Sequence, residues 1–201
     1  MDVHGARAGR KVEEEEEGVV ALEPQVHGDD RGFLVETFSQ AGWTELGIDC
    51  EFVQHNHSRS TKDTLRGLHF QLIPGQAKLV RCPRGAIFDV AVDLRRGSPG
   101  FGRHVAVVLD DEALQQLWVP PGFAHGFLVL SEVADVSYKV DAFHAPASEG
   151  GIRWDDPTLG IDWNGAGLEL EGGPLVSPRD AALPSLVEAE FDFVYQAGRR
   201  S

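Results

Sequence analysis

The chain of 201 residues carries 32 acidic and 18 basic side chains, giving a net charge of −14, and 42% of it is hydrophobic. That balance excludes a nucleic-acid backbone as the main partner, which would need a basic face, but a few local cations suffice for a small anionic ligand. The apolar fraction suits a globular domain with a core; no apolar run is long enough to span a bilayer and none near Met1 reads as an export signal, so a cytoplasmic protein without membrane contacts is expected. Cys50 and Cys82 are far apart, form no metal-type pair and are expected to stay reduced.

In chain order, residues 1–18 contain the block Glu13 to Glu17 and read as a disordered acidic tail, with residues 19–201 as a single domain. From Val19 onward the pattern is short extended runs broken by turns. GDDRGFLVETF places a turn at Gly28–Gly32 ahead of a short apolar run, and Ser39–Leu46 has weak helical patterning. FVQHNHS sets Gln54 and Asn56 on one strand face and His55 on the other. TLRGLHFQ sets Arg66, Leu68 and Phe70 opposite Leu65, Gly67 and His69. QAKLVRC brings in Lys78. AIFDVAVDL is a clear strand, with Val90, Val92 and Leu94 facing one way and Asp89, Ala91 and Asp93 the other. HVAVVL, LWVPPG, FAHGFLVL with His125 and DVSYKVDAF with Tyr138 follow. Helical patterning resumes at Ser177, where SPRD offers Ser177 as cap, Pro178 at the first helical position and Asp180 three residues after the cap. Many short strands with Gly and Pro punctuation predict an all-β sandwich or barrel, and a barrel open at one end can hold one small ligand.

The polar residues embedded in these apolar strands are Gln54, Asn56, Arg66, His69, Lys78, His125 and Tyr138. Each alone admits a structural role: a hydrogen-bonded core histidine, a lysine paired at a strand edge, a buried tyrosine with a satisfied hydroxyl, a capping aspartate. Buried bases and cations are costly unless paired or in use, so several together point to a solvated functional cavity. No nucleotide-cradling glycine loop, GxSxG or HExxH is present. A metal reading rests on His55 and His57, one residue apart, with His125 as a third ligand; it lacks an acid a few residues after His57. The metal-free alternative is acid–base chemistry: a carboxylate-oriented histidine as base, a tyrosine on the opposite wall as acid and cations between them to hold an enolate. That set suits epimerisation next to a ketone.

The blocks GDDRGFLVETF, FVQHNHSRSTKDTLRGLHFQ, KLVRCPRGAIFDVAVDLRRGSPGFG, LWVPPGFAHGFLVLSE, YKVDAFHAP, GGIRWDDPTLGIDW and PLVSPRD, in this order from about Val19 to Asp180, resemble the dTDP-4-dehydrorhamnose 3,5-epimerases. The resemblance implies a cupin-type β-jelly roll with short flanking helices, a dTDP-4-keto-6-deoxyhexose substrate, no cofactor, no metal and a homodimer in which an N-terminal segment completes the neighbour's site. It implies His69 as catalytic base, Asp180 as its dyad partner, Tyr138 as proton donor and Lys78 near the C4 oxygen. Arg31, Glu36, Gln54, His55, Asn56, Arg66, His125, Glu149 and Arg179 match positions that hold sugar, diphosphate and nucleoside, and His144 stands where a tyrosine usually stacks on the thymine ring. The chain departs from the family pattern at Phe70, usually Tyr, at His55, usually Asp, and at Phe143–His144, usually two tyrosines. An epimerase acting on one carbon only, a 3,4-ketoisomerase, a non-catalytic sugar-nucleotide-binding cupin and a metal-dependent cupin remain as alternatives. For Arg66 and His69 to reach one ligand, the strand must bulge near Gly67.

Overall fold

The computed structural model describes residues 10–16, 18–164 and 172–197. The strands are β1 (Arg10–Glu16), β2 (Val19–Glu23), β3 (Val26–Asp29), β4 (Gly32–Val35), β5 (Gln54–Thr61), β6 (Thr64–Gln71), β7 (Lys78–Arg84), β8 (Ala86–Asp93), β9 (His104–Asp110), β10 (Gln116–Val119), β11 (Phe123–Val129), β12 (Val133–Val140), β13 (Glu149–Gly151) and β14 (Leu175–Val176). The helices are α1 (Gln40–Glu45) and α2 (Pro178–Ala181), with one 3₁₀ turn at Pro146–Ser148. One sheet runs β1-β2-β10-β7-β12-β5; the other runs β13-β6-β11-β8-β9, with β14 parallel to β6. The two sheets face each other as a β-jelly roll, and β3 and β4 form a separate hairpin.

Alternation along the strands assigns three apolar layers. Between the sheets lie Val80, Cys82, Ile87, Ala91, Leu117, Phe127 and Val136. The outer face of the second sheet packs Phe70, Phe88, Val90 and Val92 against Ile152, Trp163 and Phe191 from the later loops. The outer face of the first sheet packs Val20, Leu79 and Trp118 against Trp43 of α1. The predicted faces of AIFDVAVDL therefore hold: Val90, Val92 and Leu94 join the outer layer, and Ala91 the inner one. The inner space is apolar around Val136 and Val80 and becomes polar at Tyr138 and Lys78, at the neighbouring inward positions of the same strands.

Two expectations need correction. The acidic segment is not all tail, because Arg10–Glu16 pairs antiparallel with β2. An edge strand is held by backbone groups, so it needs no apolar alternation to announce it; residues 1–9 and 17 lie outside the described residues. The C-terminal helix is a single turn, since Pro184 stops it soon after Ala182. The chain then continues as an extended strap that bridges Arg96 at Val194. Ser177 does cap α2, its Oγ accepting from the Asp180 N–H at 3.0 Å.

The bulge required near Gly67 is present. His69 pairs with His125, but Arg66 pairs with Phe127, so Gly67 and Leu68 together face Gly126 alone. Gly67 has φ +126°, and a Cβ there would meet the Gly126 Cα at 2.5 Å and the His125 carbonyl oxygen at 2.9 Å. Gly67→Ala is expected to destabilise the fold by about 2 kcal/mol or more in urea unfolding, because rigid backbone blocks it. Gly160→Ala, at φ +59° with open space around the added methyl, is expected to cost only about 1 kcal/mol. Equal costs at the two sites would contradict the packing account.

Candidate active site

The bulge shifts Arg66 to the side of β6 that His69 occupies, and both line a cavity of about 300 Å³. Lys78 of β7, Tyr138 of β12 and Ser58 of β5 face it from the first sheet, and His125 of β11 joins from the second. Arg179 and Asp180 enter from α2 together with its cap Ser177. A helix of one turn suffices because β14 fixes its start beside β6 and the Ser177 cap fixes its first turn.

His69 Nε2 lies 2.8 Å from Asp180 Oδ1, and the Gly67 N–H donates to Asp180 Oδ2 at 3.3 Å. Burial pushes the Asp180 carboxyl up, but the His69 bond, its charge and the donors at Gly67 and Ser177 outweigh this and hold it below the usual carboxylate range. Asp180 is therefore an anion that accepts from one ring nitrogen of His69, which leaves the ring's other nitrogen to take a proton. Across the cavity, burial raises the Tyr138 hydroxyl, with the Glu149 charge adding to it and Asn56 and Arg66 opposing. The phenol is thus a proton donor at neutral pH. Burial pushes the Lys78 amine down to about 8, against the charges of Asp89 and Glu149. Its Nζ donates a long 3.5 Å bond to the His69 carbonyl.

A polar rim surrounds this chamber. Glu149 Oε2 accepts from Arg179 at 2.8 Å and lies 3.1 Å from His144 Nε2. Burial raises the Glu149 carboxyl, but the Arg179 and His144 bonds bring it below its ordinary value. Gln54 donates to Asn56 at 2.9 Å and accepts from the His144 N–H at 3.2 Å.

Seven of the residues expected from sequence line the cavity: His69, Tyr138, Asp180, Lys78, Arg66, His125 and Arg179. Gln54, Asn56, His144 and Glu149 form its hydrogen-bonded rim. Three are elsewhere. His55 is on the outward face of β5, bonded to Ser137 Oγ at 2.7 Å, because alternation puts it opposite Gln54 and Asn56. Arg31 sits exposed at the β3–β4 turn with its N–H on Asp29 at 2.9 Å, and Glu36 is exposed just after β4. His57 also faces outward, 3.6 Å from Asp135, so it does not converge with His125 on a metal. Among the described residues no cluster of three or more His, Cys, Asp or Glu could hold an ion. Phe70 packs outside the cavity, edge-on to Phe191 and Phe193, so that departure from the family pattern does not reach the chemistry.

Asp89 is not among the residues singled out from sequence, and it bonds one of the residues of the cavity wall, His125. It is fully buried beneath the cavity, with its two oxygens 2.9 and 3.0 Å from His125 Nε2. The available signal was an acid at an inward position of an otherwise apolar strand.

The family model described as dTDP-4-dehydrorhamnose 3,5-epimerase matches residues 13–188. A relative of that name from Escherichia coli (strain K12) is 51% identical over 174 residues, 86% of this chain and 91% of its own length. A solved dTDP-6-deoxy-D-glucose-3,5-epimerase from Legionella pneumophila Philadelphia 1, in complex with dTDP-4-keto-L-rhamnose, superposes with a TM-score of 0.87 at 44% identity, covering 94% of this chain and 99% of that one. A 3′-monoepimerase from Streptomyces bikiniensis in complex with dTDP-quinovose has a TM-score of 0.78 at 38% identity, covering 86% and 85%. The chain belongs to the dTDP-4-dehydrorhamnose 3,5-epimerase family.

Proposed function

We propose that the protein converts dTDP-4-dehydro-6-deoxy-D-glucose to dTDP-4-dehydro-L-rhamnose by inverting C3 and C5. The observation that carries this is an imidazole–carboxylate pair, His69 and Asp180, facing a protonated phenol, Tyr138, across a cavity with an amine, Lys78, on its wall. The C4 ketone acidifies the hydrogens on both neighbouring carbons. His69 takes the proton from the carbon, the electron pair of that C–H bond moves to the C4 oxygen, and Lys78 donates a hydrogen bond to the resulting enolate. Tyr138 returns a proton to the opposite face of the carbon. Nothing is oxidised or reduced, so no redox cofactor is required.

Arg66 and Arg179 supply the positive charge for a diphosphate in an otherwise acidic protein. Gln54, Asn56, His144 and Glu149 are placed to meet the nucleoside at the rim. Arg31 and Glu36 are assigned to the cavity of a second subunit in a homodimer. Their hairpin carries Phe33 and Leu34, 59% and 72% exposed, which such a contact would bury. His55 has no part in binding on this geometry. The cytoplasm is where this reading places the enzyme.

A second reading, inversion of one carbon only, is favoured by His144, whose ring is tied to Glu149 where a stacking tyrosine is usual. Solvent deuterium decides between the two. With dTDP-4-keto-6-deoxyglucose in D₂O, label at both C3 and C5 is expected by NMR; label at one carbon would leave the mechanism and narrow the product, and no label in the wild type would end the epimerase reading. His69→Ala is expected to slow wash-in by about 10³-fold or more. Asp180→Asn, which removes the carboxylate that orients and stabilises the base, is expected to lower kcat by roughly 10²-fold or more with KM little changed. A selective loss in KM for Asp180→Asn would instead make Asp180 a binding group.

A further inference from the structure

Asp89 is a carboxylate with no solvent exposure, on the inward face of β8 between Ile87 and Ala91 of the apolar layer. A charge in that place costs free energy that an apolar residue would not, unless it is paired or in use. It has a partner: both its oxygens hold His125 Nε2, at 2.9 and 3.0 Å. That bond fixes which nitrogen of the ring carries the proton and how the ring presents itself to the cavity. Lys78 faces the same floor from the other sheet. The charged and titratable groups facing it are Asp89 from β8, His125 from β11, His69 and Arg66 from β6, Tyr138 from β12, Glu149 from β13, and Arg179 and Asp180 from α2. Asp180 is engaged with His69, and Glu149 with Arg179 and His144. Among the described residues no carboxylate comes within ion-pair distance of the Lys78 Nζ, so the amine is left to interact at longer range with the acids nearest it.

Resting on the epimerase reading, we propose that Asp89 is a positioning residue for this reaction: from beneath the cavity it orients His125 and holds Lys78 as the ammonium that receives the enolate charge. Burial drives the Lys78 amine down to about 8, and of the opposing charges Asp89 comes first, ahead of Glu149. The sign follows directly. Removing the Asp89 charge lowers the Lys78 pKa further, so the amine loses its proton at lower pH and the alkaline limb of activity moves toward acid.

The test is kcat/KM for solvent-deuterium incorporation against pH, because that quantity reports groups of the free enzyme. The wild-type alkaline limb is expected near the Lys78 value of about 8. In Asp89→Asn it is expected about one pH unit lower. The wild type's advantage should then grow about fourfold between pH of roughly 6.5 and roughly 8, beyond any pH-independent loss from a misplaced His125. Profiles that run parallel at every pH would make Asp89 a structural residue only and overturn the proposal. A wild type that incorporates no deuterium at all would instead sink the epimerase reading itself. If Asp89→Asn does not fold, Asp89→Ser carries the same comparison. The intact wild type gives an independent reading through the ¹³C-dimethylated amine of Lys78, assigned with Lys78→Arg. Titration near the expected value of about 8 supports the buried ammonium, and none below about 9.5 overturns it.

Discussion

The backbone of Gly67 lies so close to that of Gly126 that an added Cβ would come within 2.5 Å of the Gly126 Cα. Everything at the cavity depends on that contact. In a regular strand Arg66 and His69 point to opposite faces, and one of them would be lost to the outer layer with Phe70 and Leu68. Two residues of β6 opposite one of β11 reverse the phase between them, so a cation and a base come to share one chamber. The same turn of backbone aims the Gly67 N–H at Asp180, so the bulge also helps to hold the carboxylate that orients the base.

The second constraint is electrostatic. The chain is strongly acidic, yet the cavity gathers Arg66, Lys78 and Arg179 with two histidines. Its acids are placed so that each is answered: Asp180 by His69, Glu149 by Arg179, Asp89 by His125. An anionic sugar nucleotide entering this space meets cations already held by side chains it does not need to move, which is preorganisation in the ordinary sense. The apolar layer beyond Val80 and Val136 keeps water from the far side and makes those charges count for more.

Alternation makes an all-β sandwich or barrel and its inward polar residues legible in the sequence, and the resemblance to the family adds the jelly roll and the residue roles. Tyr138 and Lys78 stand out as polar residues at inward positions, and a bulge near Gly67 follows once the resemblance puts Arg66 and His69 on one ligand. What escaped detection lacked such a pattern. The acidic strand β1 pairs with β2, and its sequence RKVEEEE holds no apolar alternation that could be read. The cap at Ser177 marks where α2 begins but not its length, which Pro184 limits to one turn. Asp89 was seen on its strand but has no meaning until His125 is brought beside it from a residue 36 positions away. His55 matches a family binding position by motif, whereas alternation from Gln54 puts it on the outward face of β5.

One base facing one acid can serve both carbons only if the sugar changes its pose. C3 and C5 flank the same ketone, but they cannot both stand against His69 in one pose. His125 is held much as His69 is, through Nε2 on a carboxylate, here by both oxygens of the fully buried Asp89. The wall groups are likewise fixed: His69 by Asp180, Lys78 by its burial between the sheets, Tyr138 by its strand. On the proposed reading the nucleoside lies at the rim, and a change of pose is restrained there. There His144 and Arg179 converge on one oxygen of Glu149, and Gln54 binds the backbone beside His144. A rim held by hydrogen bonds to a carboxylate restrains a ligand by charge and direction, whereas a stacked tyrosine lets it slide in the plane of the ring. On the proposed reading the chemistry is common to one-carbon and two-carbon inversion, and it is at this rim, at His144, that the chain departs from the family pattern.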